Sequence, residues 1–169
     1  MLFGRARLYA AQVSRTSSDP KRVLNVTRRP ATDRDTEFAR QVHHLAYREP
    51  SEAQFGPWDE AAQDRFFESD WRDAQFEMVL ANGEACGYVC IEDRLEDLHI
   101  REIVIHPAFQ GRGIGSAILR DVIERARQRR VPVHLGTFRK NRAVALYQRL
   151  GFRETGTTDT HVLLKREAD

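Results

Sequence analysis

A glycine-rich segment in the second half of the chain has the composition of a loop that binds phosphate. Its sequence is Gln110-Gly111-Arg112-Gly113-Ile114-Gly115-Ser116. It lies between a predicted strand and a predicted helix, where backbone N–H groups and the positive end of the helix dipole attract an anion. The alternating glycines carry no Cβ atoms, so a ligand can approach the backbone closely. With the positive charge of Arg112, the segment predicts a site for a phosphorylated ligand.

Two other phosphate-binding loops do not fit this segment. A P-loop requires Gly-x-x-x-x-Gly-Lys-Ser/Thr, and no lysine follows the glycines here. A dinucleotide-binding loop requires Gly-x-Gly-x-x-Gly, but position 116 is serine, and the strand predicted over 131–138 has no acidic residue to bind a ribose. The loop therefore belongs to neither of these classes.

The strand predicted over 98–105 carries two candidate general bases. Two-residue alternation places positions 99, 101, 103 and 105 on one face, so His99 shares a face with the residues that lead into the loop. Its imidazole, with an ordinary pKa of about 6.5, accepts a proton near neutral pH. Glu102 is predicted on the opposite face, among Leu98, Ile100 and Val104, where an unpaired carboxylate is costly. His99 is the first candidate and Glu102 the second, and an ordinary histidine without chemistry stays an open interpretation of His99.

The elements that must position these residues follow from hydrophobic periodicity and turn signals. Strands are predicted over 23–29, 76–80, 85–91, 98–105 and 131–138, with Asn82-Gly83 as a tight hairpin turn. A final hairpin is predicted from Gly151 through Val162 to Leu164. Helices are predicted from Asp33 to about Arg48, from about Asp59, over 113–129 and over 143–150. The order βααβββαβαββ predicts a mixed α/β fold.

Two details of the helices can be predicted from side-chain types. Pro50, with Gly56 and Pro57, is predicted to break the chain between the first two helices. The second helix is predicted to bury Phe66 and Phe67. Along the third helix, one apolar face is predicted to pack on the sheet, formed by Ile114, Ile118, Val122 and Ala126.

The glycine loop resembles motif A of the GNAT acetyltransferase superfamily, Gln/Arg-x-x-Gly-x-Gly/Ala, which is matched by Gln110, Gly113 and Gly115. A strand ending Ile103-Val104-Ile105-His106-Pro107 precedes it. The segment 143–152, Ala-Val-Ala-Leu-Tyr-Gln-Arg-Leu-Gly-Phe, follows at the spacing of the family. The resemblance covers residues of about 25 to 166.

This resemblance implies a fold and an activity. The implied fold is α/β, with a central, mostly antiparallel sheet that contains a splayed parallel strand pair and is flanked by helices. It would form one domain over 25–169, after a flexible N-terminal tail over 1–24. The implied activity is transfer of the acetyl group of acetyl-coenzyme A to a primary amine by direct attack in a ternary complex, without a metal. The alternative is a non-catalytic module of the same fold that binds acetyl-coenzyme A.

The resemblance also implies roles for particular residues. Tyr147 matches the tyrosine that protonates the leaving thiolate, although it is also compatible with a half-buried packing residue. The family often has asparagine seven positions before this tyrosine, where this chain has Lys140 followed by Asn141. The residues implied to contact acetyl-coenzyme A are Ile103, Val104, Ile105, Gln110, Gly111, Arg112, Gly113, Ile114, Gly115, Ser116, Asn141 and Tyr147.

The amine acceptor would approach from the first two helices and the loop between them. Aromatic rings beside carboxylates suit a cationic amine and equally suit core packing with a polar surface. The residues in question are Tyr47, Phe55, Trp58, Asp59 and Glu60. The acceptor is left open as a small molecule or a peptide, and so is a homodimer.

Composition supports one globular domain and argues against several other classes. The chain has 169 residues and a net charge of +2, and it has no apolar run near the roughly 20 residues of a membrane span. Arg125, Arg127, Arg129 and Arg130 are explained by the dipole of a helix C-terminus without a nucleic-acid ligand. Cys86 and Cys90 are too far apart along a strand to form a disulfide. We expect a cytoplasmic protein with reduced thiols that binds neither nucleic acid nor membranes.

Overall fold

Seven strands and four helices make up residues 24–168, the part of the chain that a computed structural model of the protein describes. The strands are β1 Val26–Pro30, β2 Glu77–Ala81, β3 Glu84–Asp93, β4 Leu98–Ile105, β5 Val133–Phe138, β6 Arg153–Thr157 and β7 His161–Arg166. The helices are α1 Thr36–Phe55, α2 Glu60–Asp73, α3 Ile114–Arg129 and α4 Val144–Arg149. The predicted order of elements is confirmed.

The strands form one mixed sheet in the order β1-β2-β3-β4-β5-β7-β6. Neighbouring strands are antiparallel except β4 and β5, which run parallel. These two strands pair at only three positions, from Leu98 opposite Val133 to Ile100 opposite Leu135. Both strands continue beyond these pairs, so they separate there. The predicted sheet with a splayed parallel pair is confirmed.

Helices cover both faces of the sheet. α1 and α2 pack on one face, where Val42 and Phe67 join a buried cluster with Tyr88 of β3 and Val104 of β4. α3 packs on the other face, and its predicted apolar face is buried as expected. Burial of these surfaces holds the middle of the sheet between two apolar layers.

A β-bulge in β4 changes the side-chain alternation within the strand. Cys90 of β3 pairs with Glu102, and the next residue, Ile91, pairs with Ile100, so Arg101 is an extra residue. Ile100 before the bulge and Ile103 after it both pack on the α3 face. The prediction that positions 99, 101, 103 and 105 share a face is therefore wrong, because alternation restarts at the bulge.

Two predictions about the first helices are also corrected. α1 continues through Pro50 to Phe55 instead of ending near Arg48. Tertiary contacts hold this last part, because Lys140 Nζ donates to the Ala53 carbonyl at 2.9 Å. Phe67 is buried as predicted, but Phe66 is 62% exposed. Adjacent residues of a helix point about 100° apart, so one of the pair faces solvent.

Three further predictions concern the hairpin turn, the N-terminal segment and membrane spans. The hairpin turn at Asn82 and Gly83 has the expected positive φ angles of 53° and 87°. Of the predicted tail 1–24, residues 1–23 lie outside the described residues, and Leu24 packs partly buried beside β1 and α3. Between residues 24 and 168, no helix is long and apolar enough to cross a membrane.

Candidate active site

The glycine loop connects β4 to α3 and leaves the first turn of the helix open to a ligand. Gly111 and Gly113 have φ angles of 73° and 84°, a region that other residues adopt only with strain. The Gln110 side-chain amide donates to the Ile105 carbonyl at 2.9 Å and ties the loop to the end of β4. The first N–H groups of a helix have no partner within it. The loop is therefore built to present donors to an anion.

A cavity of about 650 Å³ lies along the end of β4, beyond the positions at which β4 pairs with β5. Its volume is within the usual range for small-molecule sites. Its walls come from α1, the end of β4, the glycine loop, and the segment that leads into α4. The residues predicted to bind acetyl-coenzyme A that line it are Ile103, Val104, Ile105, Gln110, Gly111, Gly113, Ile114, Gly115, Ser116, Asn141 and Tyr147.

Arg112 is not among the residues that line this cavity. Its guanidinium lies 5.1 Å from the ring centre of Phe109, in a cation–π contact. The side chain is exposed. In this arrangement Arg112 is held at the outer side of the loop.

Glu102 forms the centre of a buried polar cluster behind the cavity. Its Oε1 atom accepts hydrogen bonds from Tyr47 at 2.8 Å and from Tyr88 at 3.4 Å. The Nδ1 atom of His43 lies 3.2 Å from the Tyr88 hydroxyl and 4.0 Å from Glu102 Oε1. The Nε2 atom of His43 lies 3.3 Å from Gln63 Oε1, which can only accept, so a neutral His43 donates from Nε2 and its Nδ1 atom faces the Tyr88 hydroxyl as an acceptor. The carboxylate is thus buried with partners, and not unpaired as the sequence suggested.

Burial changes the proton affinities in this cluster. It raises the pKa of Glu102 to about 7, an effect that the hydrogen bonds from Tyr47 and Tyr88 only partly oppose. Burial also lowers the pKa of His43 to about 4, so this imidazole is neutral near pH 7. The pKa values of Tyr47 and Tyr88 are raised well above the usual value by burial and by the nearby Glu102. Glu102 is therefore the group in this cluster that changes protonation near pH 7.

Tyr147 lines the cavity from α4. Its ring packs edge-to-face against Phe152, with the ring centres 5.9 Å apart. Burial raises the pKa of Tyr147 to about 12, so the phenol is protonated. Within residues 24–168 its hydroxyl has no hydrogen-bond partner. The group is free to donate to a bound ligand.

Asn141 and Lys140 are both engaged with the protein itself. The Asn141 side chain donates to Thr137 Oγ1 at 2.8 Å and accepts from the Ala143 backbone at 2.9 Å. It therefore shapes the turn before α4, although it also lines the cavity. Lys140, at the position where the family often has asparagine, ties this turn to α1 through the Ala53 carbonyl.

His99 lies away from the cavity, in the part of β4 that pairs on both sides. It is opposite Glu92 of β3 and His134 of β5, and it is not among the cavity-lining residues. Partial burial lowers the pKa of His99, with the nearby Arg94 acting in the same direction. The structure brings Glu102, and not His99, next to a residue of the cavity wall.

The residues considered for the acceptor fall into two groups. Tyr47 and Phe55 both contact the ring of Phe138 edge-to-face, at 5.9 Å and 5.4 Å between ring centres. Asp59 caps α2 by accepting from the Ala62 backbone. Glu60 lies 3.8 Å from Arg48, and the same arginine stacks over Trp58. Of these residues, only Tyr47 lines the cavity.

The structure also places the arginines at the end of α3, the two cysteines and the potential metal ligands. Arg125 and Arg129 at the end of α3 form ion pairs with Asp93, and Arg127 pairs with Glu124. Cys86 and Cys90 are buried and free. Among residues 24–168, no group of three or more potential metal ligands comes together.

His43 and Tyr88 were not predicted from the sequence as partners of Glu102. His43 lies on α1 and Tyr88 on β3, far from each other and from Glu102 along the chain. A tyrosine within an apolar strand and a histidine within an amphipathic helix were the only available signals. Neither signal identifies a partner.

Comparisons with known proteins agree with this fold. The family model described as the acetyltransferase (GNAT) family matches residues 40–152. An uncharacterised N-acetyltransferase of Methanocaldococcus jannaschii is 38% identical over an 83-residue alignment, which covers 43% of this chain and 36% of that protein. The chain thus spans about a third of the length of this curated relative.

Two solved structures show the same fold at low sequence identity. The PaiA N-acetyltransferase of Thermoplasma acidophilum, in complex with coenzyme A, has a TM-score of 0.69 at 13% identity, over 85% of this chain and 99% of that one. A GNAT family acetyltransferase of Elizabethkingia anophelis, with acetyl-CoA bound, has a TM-score of 0.59 at 22% identity, over 85% and 98%.

Proposed function

Because this chain belongs to the acetyltransferase (GNAT) family, we propose that it transfers the acetyl group of acetyl-coenzyme A to a primary amine by direct attack in a ternary complex. The observation that carries the proposal is the cavity beside the end of β4, which joins the open first turn of α3 to Tyr47 and Tyr147. One end of the cavity offers N–H donors for phosphate, and the other end offers side chains that can donate or accept protons. A pocket that only binds acetyl-coenzyme A does not require side chains that donate or accept protons.

The fit to acetyl-coenzyme A rests on two features of the cavity. The turn at Gly113 frees the first N–H groups of α3 for the pyrophosphate. The edge of β4 at 103–105 is unpaired on the side of β5, so its backbone can hydrogen-bond an extended arm. An N–H group there would also stabilise charge that develops on the thioester oxygen.

We assign the proton chemistry to Glu102 and Tyr147. With a pKa of about 7, Glu102 is largely ionised above neutral pH and can take the proton that the amine loses. With a pKa of about 12, Tyr147 is a poor source of a whole proton for a thiolate, since an alkyl thiol has a pKa of about 8.5. Its role in this proposal is to donate a hydrogen bond to the leaving sulfur.

The proposal is tested first with the cofactor and then with amines. Acetyl-coenzyme A at 100 times its dissociation constant should stabilise the protein by about 2.7 kcal/mol, seen as a rise in melting temperature. A panel of spermidine, L-lysine, benzylamine and peptides with free N-termini is then screened for thiol release, with mass spectrometry of the products. Stabilisation without acetylation of any of these amines would favour the alternative, a non-catalytic acetyl-coenzyme A-binding module.

Tyr147→Phe separates binding from chemistry. The variant should keep the stabilisation by acetyl-coenzyme A, because it removes only one oxygen from the cavity wall. Its turnover should fall about 10²-fold, the usual cost of losing a donor to developing charge. Turnover equal to that of the wild type would remove Tyr147 from the mechanism.

A further inference from the structure

Tyr47 connects the cavity to the buried carboxylate. It lines the cavity, whereas Glu102 and Tyr88 do not. Its hydroxyl donates to Glu102 Oε1 at 2.8 Å, the shorter of the two hydrogen bonds that this oxygen accepts from tyrosines. An amine bound in the cavity would therefore meet the Tyr47 phenol before it meets the carboxylate.

We propose that Tyr47 is a catalytic residue that relays the proton of the attacking amine to Glu102. The phenol oxygen accepts the proton from nitrogen while the phenol's own proton moves to Glu102 Oε1. The proposal rests on the proposed acetyl transfer and adds the group that touches the amine.

The relay balances as a single step. Starting from a neutral amine, a C–N bond forms and the C–S bond breaks, and its electron pair leaves on sulfur as thiolate. One proton leaves nitrogen for the Tyr47 oxygen, and one leaves Tyr47 for Glu102. Tyr47 ends as neutral as it began, and Glu102 ends protonated and returns the proton to solvent once the products have left.

The surroundings of Tyr47 favour a concerted transfer. Burial raises the pKa of Tyr47 well above the usual value, and the nearby Glu102 adds to this effect. A free tyrosinate is therefore disfavoured, and the phenol can lose its proton to Glu102 only as it gains one from the amine. The ring is held in place by His43 and Phe138, with ring centres 4.6 Å and 5.9 Å away.

Glu102 is held from several elements, which sets the pH at which the relay works. The titratable or charged groups that act on it are Tyr47 and His43 from α1, Asp70 from α2, Tyr88 from β3 and the adjacent Arg101. Tyr88 makes the second hydrogen bond to the same oxygen but does not line the cavity. It therefore provides a matched comparison for Tyr47.

Tyr47→Phe and Tyr88→Phe are compared across pH 6 to 9, with the amine of the panel above that is turned over fastest. Tyr47→Phe should lower kcat about 10²-fold or more at every pH, because the path to the base is lost. Tyr88→Phe should keep its alkaline plateau within about threefold of the wild type, with its acid limb moved to higher pH because the carboxylate has lost a donor. Melting temperatures with and without acetyl-coenzyme A confirm that both variants fold and bind.

If kcat of Tyr47→Phe and kcat of Tyr88→Phe reach the same plateau at alkaline pH, the relay is overturned, because the proton of the amine would then reach Glu102 without Tyr47. Glu102→Gln distinguishes this failure from failure of the proposed function. If Glu102→Gln is slow while the two tyrosine variants are equal, the base is right and the relay is wrong. If Glu102→Gln turns over at the wild-type rate, or if no amine of the panel is acetylated by the wild type, the relay fails together with the mechanism on which it rests.

Discussion

Replacing Glu102 by glutamine should change the stability of the protein in a pH-dependent way. The Glu102 side chain is only 10% exposed, and its pKa of about 7 lies above the ordinary value of 4.5. As the pH rises from 4.5 to 7, the unfolded chain loses this proton before the folded protein does, so the wild type loses stability over that range. Glutamine has no such proton.

The magnitude follows from the difference between the two pKa values. The pKa of Glu102 is 4.5 in the unfolded chain and about 7 in the folded protein, which corresponds to a loss of stability of about 3 kcal/mol at 1.36 kcal/mol per pKa unit. The wild type has lost this full amount above neutral pH. At pH 5 the wild type has lost only about 1 kcal/mol of stability through this group. The free energy of unfolding of Glu102→Gln, relative to the wild type, should therefore increase by roughly 2 kcal/mol between pH 5 and pH 8.

The assay is urea unfolding of both proteins at each pH, with linear extrapolation to water. Comparing the two proteins removes the contributions of titratable groups remote from position 102, which the two proteins share. Any cost of burying the new amide is constant with pH. Glu96→Gln, at an exposed position between β3 and β4, is the control and should show no such trend. A difference between Glu102→Gln and the wild type that is the same at pH 5 and pH 8 would refute the reasoning.

Two further predictions concern glycines. Gly113→Ala should weaken binding of acetyl-coenzyme A, because a side chain at φ 84° costs about 1 kcal/mol and distorts the loop; Gly83→Ala, with φ 87° in the hairpin turn, should cost similar stability and leave that affinity unchanged in calorimetric titration. Gly87→Ala should lower the free energy of unfolding by about 3 kcal/mol, because its Cβ would lie 2.1 Å from the Val104 carbonyl. Gly136→Ala, whose Cβ meets Leu163 at an ordinary 3.5 Å, should change stability by less than about 1 kcal/mol in the same urea assay. Equal losses of affinity in Gly113→Ala and Gly83→Ala, or equal losses of stability in Gly87→Ala and Gly136→Ala, would contradict these expectations.

The sequence predicted the fold well because its signals were local. Apolar periodicity placed α3, and Asn82-Gly83 placed the β2–β3 turn. The prediction that the first helix ends before Pro50 was wrong. A proline removes only one helical hydrogen bond, while contacts from distant residues such as Lys140 keep α1 helical to Phe55. The outcome at Pro50 depended on tertiary structure.

The site was predicted less completely, for two reasons. The order of the base candidates rested on regular alternation in β4, and no residue type near Arg101 signals a bulge. The cost of burying Glu102 was judged without knowing that Tyr47 and Tyr88 come from other elements to satisfy it. Loops that bind through their own backbone can be recognised from sequence, whereas a buried cluster assembled from α1, β3 and β4 requires the tertiary structure.

The extra residue Arg101 shifts the side-chain alternation of β4 by one position. Residues before it and after it follow the same alternation, but in opposite phase. Removing one residue there would exchange every later position between the two faces, moving Glu102 towards α3 and Ile103 towards α1. Changes of chain length in the exposed turn at 94–97 should be tolerated, whereas a one-residue deletion inside β4 should abolish activity even if the sheet still forms. Any attempt to graft this strand into another protein of the same architecture would have to carry the extra residue with it.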